Sequence, residues 1–262
     1  MALLERPSPR GKRVSLFVTC LVDNLYPQTG LAALRILEHL GLEVDFPLAQ
    51  TCCGQPGFNA GHRDEARTVA RQFLRAFANS QVIVTPSGSC AAMVRHEYPA
   101  LFADDPQALA LAQRLAGITW ELSEFIVDGL GIDDIGARLP EPRRFAFHDC
   151  CHGLRLLGLS SQARQLIGHV ENAQLSELAE SDSCCGFGGL FSVKMSEVSA
   201  AMLRRKMGHI KASDADDVLL GDVSCMMHIN GGLARDGTSR RTRHFAEVLA
   251  SALPDNAQVR ED

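Results

Sequence analysis

The sequence predicts an α/β protein of two similar lobes, each with a mostly parallel sheet, related by an internal duplication and a pseudo-twofold axis. The first observation is a repeated set of cysteines. Members of the second half lie 131 to 135 positions after their partners: Cys20, Cys52, Cys53 and Cys90 match Cys151, Cys184, Cys185 and Cys225. The second observation is that short apolar runs alternate with helical patterns in both halves. Such alternation is typical of parallel strands joined by helices.

Apolar, β-branched runs that end in a turn and a cysteine predict buried strands. They are "RVSLFVTC" (13–20), "QVIVTPSGSC" (81–90), "RRFAFHDCC" (143–151) and "DVLLGDVSC" (217–225). Shorter runs at 44–46 and 174–178 predict one further strand before each of two CCG segments, "CCGQPG" and "CCGFGG". The same order of elements is therefore expected in both halves.

Helical patterns occupy the stretches between the predicted strands. Pro27 suits the first position of a helix, and Gly41 suits its C-terminal end. Apolar residues at helical spacing predict helices at 64–80 and 194–210, and a closing helix at 243–253.

A stretch with glycine and proline near 136–142 separates the two halves. We therefore expect the first lobe at residues 1–138 and the second at 139–262. The region near 101–135 is expected to be a mostly helical extension of the first lobe, with helix up to about Leu130.

Composition excludes several classes of protein. The net charge is −5 and the pI is near 6.0, so no basic surface for nucleic acid is expected. No apolar run reaches the roughly 18 residues of a membrane span, and the N-terminal stretch lacks the apolar segment of a secretory signal. We therefore expect a cytoplasmic protein, in which nine cysteines indicate metal binding or redox chemistry rather than disulfides.

The cysteines are expected to converge in each lobe. The carboxyl ends of parallel strands meet at one edge of a sheet, where ligands bind. Four thiolates there repel one another unless a metal or a cluster holds them, and all-sulfur ligation selects zinc or an iron–sulfur cluster. Zinc sites generally use paired C-x₂-C knuckles, which are missing here, so zinc is the alternative, in one lobe or as the structural metal of a non-redox scaffold.

Glycines follow both pairs of adjacent cysteines. Gly54 and Gly186 permit the positive φ that a sharp bend requires, so that both cysteines of a pair can reach one centre. Cys150 has no counterpart in the first half, and we expect it to be a small buried apolar residue.

The segment "HDCCHGLR" adds polar side chains around Cys151. His148 and His152 are the candidates for a catalytic base or proton carrier, with a ligand role also open for His152. Arg155 is a candidate for neutralising cluster charge or binding a carboxylate. No complete G-x-G-x-x-G or phosphate-binding G-x-x-x-x-G-K-[ST] motif occurs, which favours electron transfer for a partner over organic-cofactor chemistry.

These motifs resemble the cysteine-rich CCG domain found in the CCG-containing subunit of heterodisulfide reductase, in the glycolate oxidase iron–sulfur subunit and in the iron–sulfur subunit of anaerobic glycerol-3-phosphate dehydrogenase. The sequence is most similar to the lactate utilization protein A family, and the similarity covers roughly residues 13–250. The segments that carry it are "LFVTCLVDNLYP", "VDFPLAQTCCGQP", "TPSGSCAAM", "SDSCCGFGGLFSVKMSE" and the histidines around Cys151.

The resemblance implies an iron–sulfur electron-transfer subunit of a multi-protein system that oxidises L-lactate to pyruvate. It would act with two sister proteins, one of which carries ferredoxin-type clusters. The eight repeated cysteines would hold two clusters, one per lobe. The alternative within the resemblance is an oxidoreductase subunit of the glycolate oxidase or heterodisulfide reductase type.

The sequence departs from the CCG-containing subunit of heterodisulfide reductase at two positions. There the last cysteine of each motif belongs to a C-x-x-C pair, whereas here Ser87 and Asp222 replace the first member. Four cysteines per half remain, so two ordinary [4Fe–4S] clusters fit the count better than the five-thiolate noncubane cluster of that reductase.

Overall fold

The computed structural model describes residues 6–254, and these residues form two parallel four-stranded sheets. The strand order is β2-β1-β3-β4 in the first sheet and β6-β5-β7-β8 in the second. The strands are β1 Val14–Leu16, β2 Val44–Asp45, β3 Val82–Thr85, β4 Thr119–Glu121, β5 Arg138–Phe147, β6 Glu171–Glu177, β7 Asp217–Leu220 and β8 Thr242–His244. The predicted pair of α/β lobes with parallel sheets is confirmed. The division at 138/139 stays a prediction, and residues 1–5 and 255–262 of the predicted lobes lie outside the described part.

Helices connect the strands in both halves. They are α1 Cys20–Leu25, α2 Pro27–His39, α3 Gln55–Asn59, α4 Arg63–Ala76, α5 Gly88–Ala92, α6 Tyr98–Leu101, α7 Pro106–Ile118, α8 Leu122–Glu124, α9 Gln162–Gly168, α10 Phe191–Lys194, α11 Ser196–Ala212, α12 Val223–Arg235 and α13 Phe245–Ala252. Wider π-helical turns span Met93–Glu97, Phe125–Gly129 and Gly153–Leu157. Among residues 6–254 no helix has the length and apolar character needed to cross a membrane.

Two strands are absent from the sequence prediction. The region that was expected to be helical up to Leu130 contains β4, and the expected closing helix at 243–253 begins with the end of β8. Both are three-residue edge strands, "TWE" and "TRH", too short and too polar for an alternating pattern to show. Pairing with β3 and β7 buries them.

Each sheet packs on two hydrophobic cores. Alternate side chains of a strand point to opposite faces. Val14 of β1 and Phe145 of β5 face one core that both sheets share. The opposite face of the first sheet packs Ile83 against aromatic side chains, and that of the second packs Val218 against helices α11 and α12. Because the middle core belongs to both lobes, the lobes form one continuous structure.

One helix of each lobe also packs against the other lobe. Helix α13, which follows β8, packs on α2 of the first lobe, and α8, which follows β4, packs on α9 of the second. Glu121 and His244, the last residues of β4 and β8, start these helices as N-caps: the Glu121 carboxylate accepts from Glu124 N, and His244 Nδ1 accepts from Ala246 N. The exchange fixes the two cysteine-bearing sheet edges relative to each other.

Candidate metal centre

The repeated cysteines lie at the carboxyl ends of the central strands. Cys20 starts α1 after β1, and Cys90 lies in the first turn of α5 after β3. Cys151 and Cys225 have the same positions after β5 and β7. The adjacent pairs lie in the loops that follow β2 and β6. The topology thus explains why four thiols meet in each lobe.

In the first cysteine group, Cys20, Cys52, Cys53 and Cys90, the thiols form a continuous chain. The Sγ atoms of Cys20 and Cys52 are 3.3 Å apart, and those of Cys53 and Cys90 are also 3.3 Å apart. The backbone N–H of Gly54 donates to Cys52 Sγ at 3.4 Å.

The second cysteine group, Cys151, Cys184, Cys185 and Cys225, repeats this arrangement. Cys185 and Cys225 Sγ are 3.3 Å apart, and the Gly186 N–H donates to Cys184 Sγ at 3.4 Å. The Cys151 thiol hydrogen-bonds to Cys184. The structure therefore brings the eight repeated cysteines together as two groups of four, and their binding of a cluster stays a prediction.

Both cysteine groups line one cavity of about 490 Å³ between the lobes. Four of the thiols are buried and four are half-buried. The buried ones are Cys53, Cys90, Cys185 and Cys225, and the half-buried ones are Cys20, Cys52, Cys151 and Cys184. The two groups therefore face each other across a space that both can reach.

One sulfur in each group carries the negative charge most readily. Hydrogen bonds from the Cys20 and Cys53 thiols lower the pKa of Cys52 to about 3. Bonds from the Cys151 and Cys185 thiols lower the pKa of Cys184 to about 2.

The pKa values of the neighbouring thiols shift in the opposite direction. The hydrogen bond to Cys52, with burial, raises the pKa of Cys20 and Cys53, and the bond to Cys184 raises that of Cys151 and Cys185. Full deprotonation of either group therefore requires a cation that all four sulfurs share.

The bend after each cysteine pair depends on glycine, as the sequence predicts. Gly54 has φ 85° and Gly186 has φ 91°, in the left-handed region. A Cβ at Gly186 would lie 2.7 Å from the Ser199 carbonyl oxygen, whereas one at Gly54 would lie 3.2 Å from the Ala66 oxygen. Glycine therefore provides both the backbone conformation and the close approach of the loop to a helix.

Gly186→Ala is expected to lower the free energy of unfolding by about 3 kcal/mol, because it combines a positive φ with a backbone clash. Gly54→Ala has more room and should cost about 1–2 kcal/mol. Urea denaturation of the two variants measures the difference. Gly208→Ala is the matched control: Gly208 is an exposed position of helix α11 with open space where a Cβ would lie, and the change should be neutral or slightly stabilising. Equal losses at Gly54 and Gly186 would contradict the steric argument.

The two candidate histidines have different surroundings. His152 lines the cavity, with Nδ1 3.7 Å from Cys151 Sγ. His148 is completely buried; its Nδ1 lies 3.0 Å from the Ser181 carbonyl oxygen, and one ring nitrogen lies within 4.8 Å of the Cys185 and Cys225 thiols. Burial lowers the pKa of His148 to about 4, so its imidazole is neutral at physiological pH.

Arg155 has no direct part in the cavity lining. Its exposed guanidinium donates to the Asp182 carbonyl at 3.4 Å, at the loop before the second CCG segment. The sequence suggested a direct interaction with a cluster or a carboxylate, and the contact found is instead with the backbone.

Cys150 is buried, as the sequence predicts, and its thiol contacts a member of the second cysteine group. Its hydrogen bond to the Cys225 thiol lowers its pKa, yet burial and the nearby Asp222 and Cys185 outweigh this effect and raise the pKa overall. The second lobe thus brings a fifth thiol beside its group.

The two positions that lack the C-x-x-C cysteine meet each other across the lobes. Ser87 Oγ donates to Asp222 Oδ2 at 3.1 Å, and the Ser89 N–H donates to the same oxygen at 2.8 Å. Asp222 Oδ1 caps α12 by accepting from Ser224 N at 3.1 Å. Both side chains therefore join the lobes and start helices between the two cysteine groups. Sequence reasoning compared these positions with cysteines and missed their contact.

Comparison with known proteins agrees with this architecture. The cysteine-rich CCG domain matches residues 14–95 and again 145–230. Lactate utilization protein A of Geobacillus kaustophilus is 48% identical over 237 residues, covering 90% of this chain and 98% of the relative. Lactate utilization protein A 1 of Bacillus anthracis is 43% identical over 241 residues, covering 92% and 99%.

The crystal structure of a hypothetical protein from Helicobacter pylori has a similar fold, with a TM-score of 0.62 and 12% sequence identity. The match covers 94% of this chain and 50% of the Helicobacter pylori chain. Fold and site together define a duplicated cysteine-rich domain protein. Within that class, the chain belongs to the lactate utilization protein A family.

Proposed function

We propose that the protein is an iron–sulfur electron-transfer subunit of a system that oxidises L-lactate to pyruvate. The observation that carries the proposal is the pair of four-thiol groups at matched strand ends, facing one cavity. The names of the relatives supply lactate utilization as the process.

The donor atoms fit two [4Fe–4S] clusters, one in each cysteine group. Four thiols per group match the number of thiolates that such a cluster takes. The Gly54 and Gly186 N–H groups already donate to cysteine sulfurs, a contact that tunes the reduction potential of a cluster. When bound, each cluster would accept and release one electron at a time.

The surrounding residues define what the chain itself contributes. The half-buried thiols Cys20, Cys52, Cys151 and Cys184 face the opening between the lobes, while the buried thiols anchor each group to its own lobe. His152 lines the cavity and is the candidate to carry a proton there, whereas the burial of His148 favours a role at the second cysteine group.

Partners are inferred from the resemblance. We expect sister subunits of a cytoplasmic lactate oxidation system, including a ferredoxin-type iron–sulfur protein that exchanges electrons with this chain. The glycolate oxidase and heterodisulfide reductase types are the alternatives, and assays of the reassembled system with lactate, glycolate and a disulfide substrate distinguish them.

Zinc bound in the second lobe is an alternative to the second cluster, and one observation in the structure supports it. His148, Cys185 and Cys225 have their donor atoms within 4.8 Å of one another, a mixed nitrogen and sulfur set that zinc also uses. Metal analysis therefore has to accompany any spectroscopic test.

Anaerobic purification and reconstitution should yield about eight iron and eight sulfide per chain, as two [4Fe–4S] clusters require. EPR of the reduced protein should show two interacting or overlapping cluster signals. About two iron atoms or fewer per chain would overturn the assignment of two clusters. Stoichiometric zinc with one cluster remaining would restrict iron–sulfur chemistry to the first lobe.

A further inference from the structure

We propose that His148 supplies a nitrogen ligand to the cluster of the second cysteine group in place of one of its four thiolates, so that the two clusters differ in ligation. This inference rests on the proposed iron–sulfur function and goes beyond it. His148 would hold one iron in place of the thiolate of Cys185 or Cys225, whose Sγ atoms lie beside its ring, and the first group would remain all sulfur.

The ring of His148 is prepared to act as a ligand. It is completely buried, and Nδ1 lies 3.0 Å from the Ser181 carbonyl oxygen, to which it donates its proton. Nε2 therefore carries the lone pair, and within residues 6–254 it has no hydrogen-bond partner. Metal-bound histidines commonly donate their other ring N–H to a backbone carbonyl, which fixes ring orientation and tautomer.

The imidazole of His148 lies beside two of the thiols that would hold the cluster. One ring nitrogen of His148 and the Sγ atoms of Cys185 and Cys225 all lie within 4.8 Å of one another, and the two sulfurs are 3.3 Å apart. The imidazole therefore lies close enough to either thiol to bind the iron that this thiol would otherwise hold.

The first lobe has an aromatic residue at the equivalent position. Phe17 N donates to the Val84 carbonyl and His148 N donates to the Leu219 carbonyl, both at 2.8 Å, at the same point of the two sheets. Phe17 packs edge-on against Phe73, with ring centroids 5.0 Å apart. Phe17 cannot bind a metal, so the duplication has produced two unequal sites.

A second residue near His148 also differs between the two lobes and adds positive charge to the second one. Ser199 of helix α11 contacts Gly186 in the same way as Ala66 of helix α4 contacts Gly54. When the two helices are aligned on these residues, Lys206 matches Phe73. Lys206 has 0% exposure, and its Nζ donates to the carbonyls of Glu180 at 2.5 Å and Ser181 at 3.3 Å. The second lobe therefore holds an imidazole and an ammonium where the first holds two phenyl rings.

These two differences between the lobes predict different reduction potentials for the two clusters. A neutral imidazole in place of one thiolate, together with the nearby ammonium of Lys206, would lower the negative charge of the second cluster. Lower negative charge raises the reduction potential of a cluster, as histidine ligation does in Rieske centres. The second cluster would therefore have the higher reduction potential of the two.

The decisive experiment compares reconstituted protein that carries ¹⁴N-histidine with protein that carries ¹⁵N-histidine. Pulsed EPR of the reduced protein should detect a strong histidine nitrogen coupling that changes with the isotope. His148→Phe, which introduces the residue of the first lobe, should abolish the coupling and lower the potential of one cluster only. His152→Ala is the matched control and should keep the coupling.

The outcomes separate this inference from the proposed function. If the reconstituted wild-type protein holds no iron–sulfur cluster, the function proposal fails and the inference fails with it. If two clusters form without strong histidine coupling, or if the coupling disappears only in His152→Ala, the function stands and the ligand assignment is wrong. Should His148→Phe fail to fold, loss of the coupling in His152→Ala, or its absence from the wild-type chain, still overturns the assignment, and a coupling that persists in His152→Ala supports it.

Discussion

Cys53→Ser is expected to reduce bound iron from about eight to about four atoms per chain by eliminating the cluster of the first cysteine group. Cys53 lies in the middle of the chain of thiols, between Cys52 and Cys90, and is 2% exposed. A hydroxyl there removes a thiolate ligand that no nearby thiol of that lobe replaces. Cys185→Ser is the equivalent change in the second lobe. Iron and sulfide analysis, with EPR of each variant, measures the loss.

Cys150→Ala provides the control for this experiment. Cys150 is buried beside Cys225 but lies outside the repeated pattern, so its removal should leave iron content near the wild-type value. Full iron in Cys53→Ser would show that the ligand assignment in the first lobe is wrong. Loss of iron in Cys150→Ala would show that the second group uses five cysteines.

The sequence predicts the cysteine groups well because their positions depend on local features that repeat. A strand, a turn and a cysteine follow one another directly, and the topology of a parallel sheet then brings the strand ends together. The positive φ at Gly54 and Gly186 is predictable for the same reason, since a bend between two ligands and the next helix requires it.

Features that depend on contacts between distant segments were not predictable from the sequence. Strands β4 and β8 take their conformation from pairing with β3 and β7. The packing of α13 on α2 joins the end of the chain to its beginning. The sequence indicates His148 as a candidate base or proton carrier and not as a ligand, because nothing in it shows that Phe17 is its counterpart or that Lys206 is buried beside it.

The side chain of Asp222 links the two lobes directly. It has 2% exposure and lies between the groups. One carboxylate oxygen accepts from Ser87 Oγ and Ser89 N in the first lobe. The other accepts from Ser224 N and Oγ in its own helix. A buried acceptor of this kind stabilises the structure mainly because its donors have no other partner.

Asp222→Ala is therefore expected to lower the free energy of unfolding by about 2–4 kcal/mol, the sum of a lost helix cap and an unsatisfied buried N–H at Ser89. The same change should weaken cluster retention in both lobes, because α5 and α12 carry Cys90 and Cys225 in their first turns. Denaturation of the cluster-free chain and the rate of iron loss to a chelator from the reconstituted protein measure the two effects.

Two further variants separate the contact between the lobes from ordinary capping. Asp105→Ala removes the cap of α7, a helix that carries no cysteine, together with a surface ion pair to Arg71, and should cost about 1 kcal/mol with no change in iron retention. Ser87→Ala should also cost about 1 kcal/mol. In a double-mutant cycle, Ser87 and Asp222 should show a coupling energy of about 1 kcal/mol, since the hydroxyl and the carboxylate interact directly. Additive losses, with iron retained in Asp222→Ala, would mean that Asp222 acts only as the cap of α12.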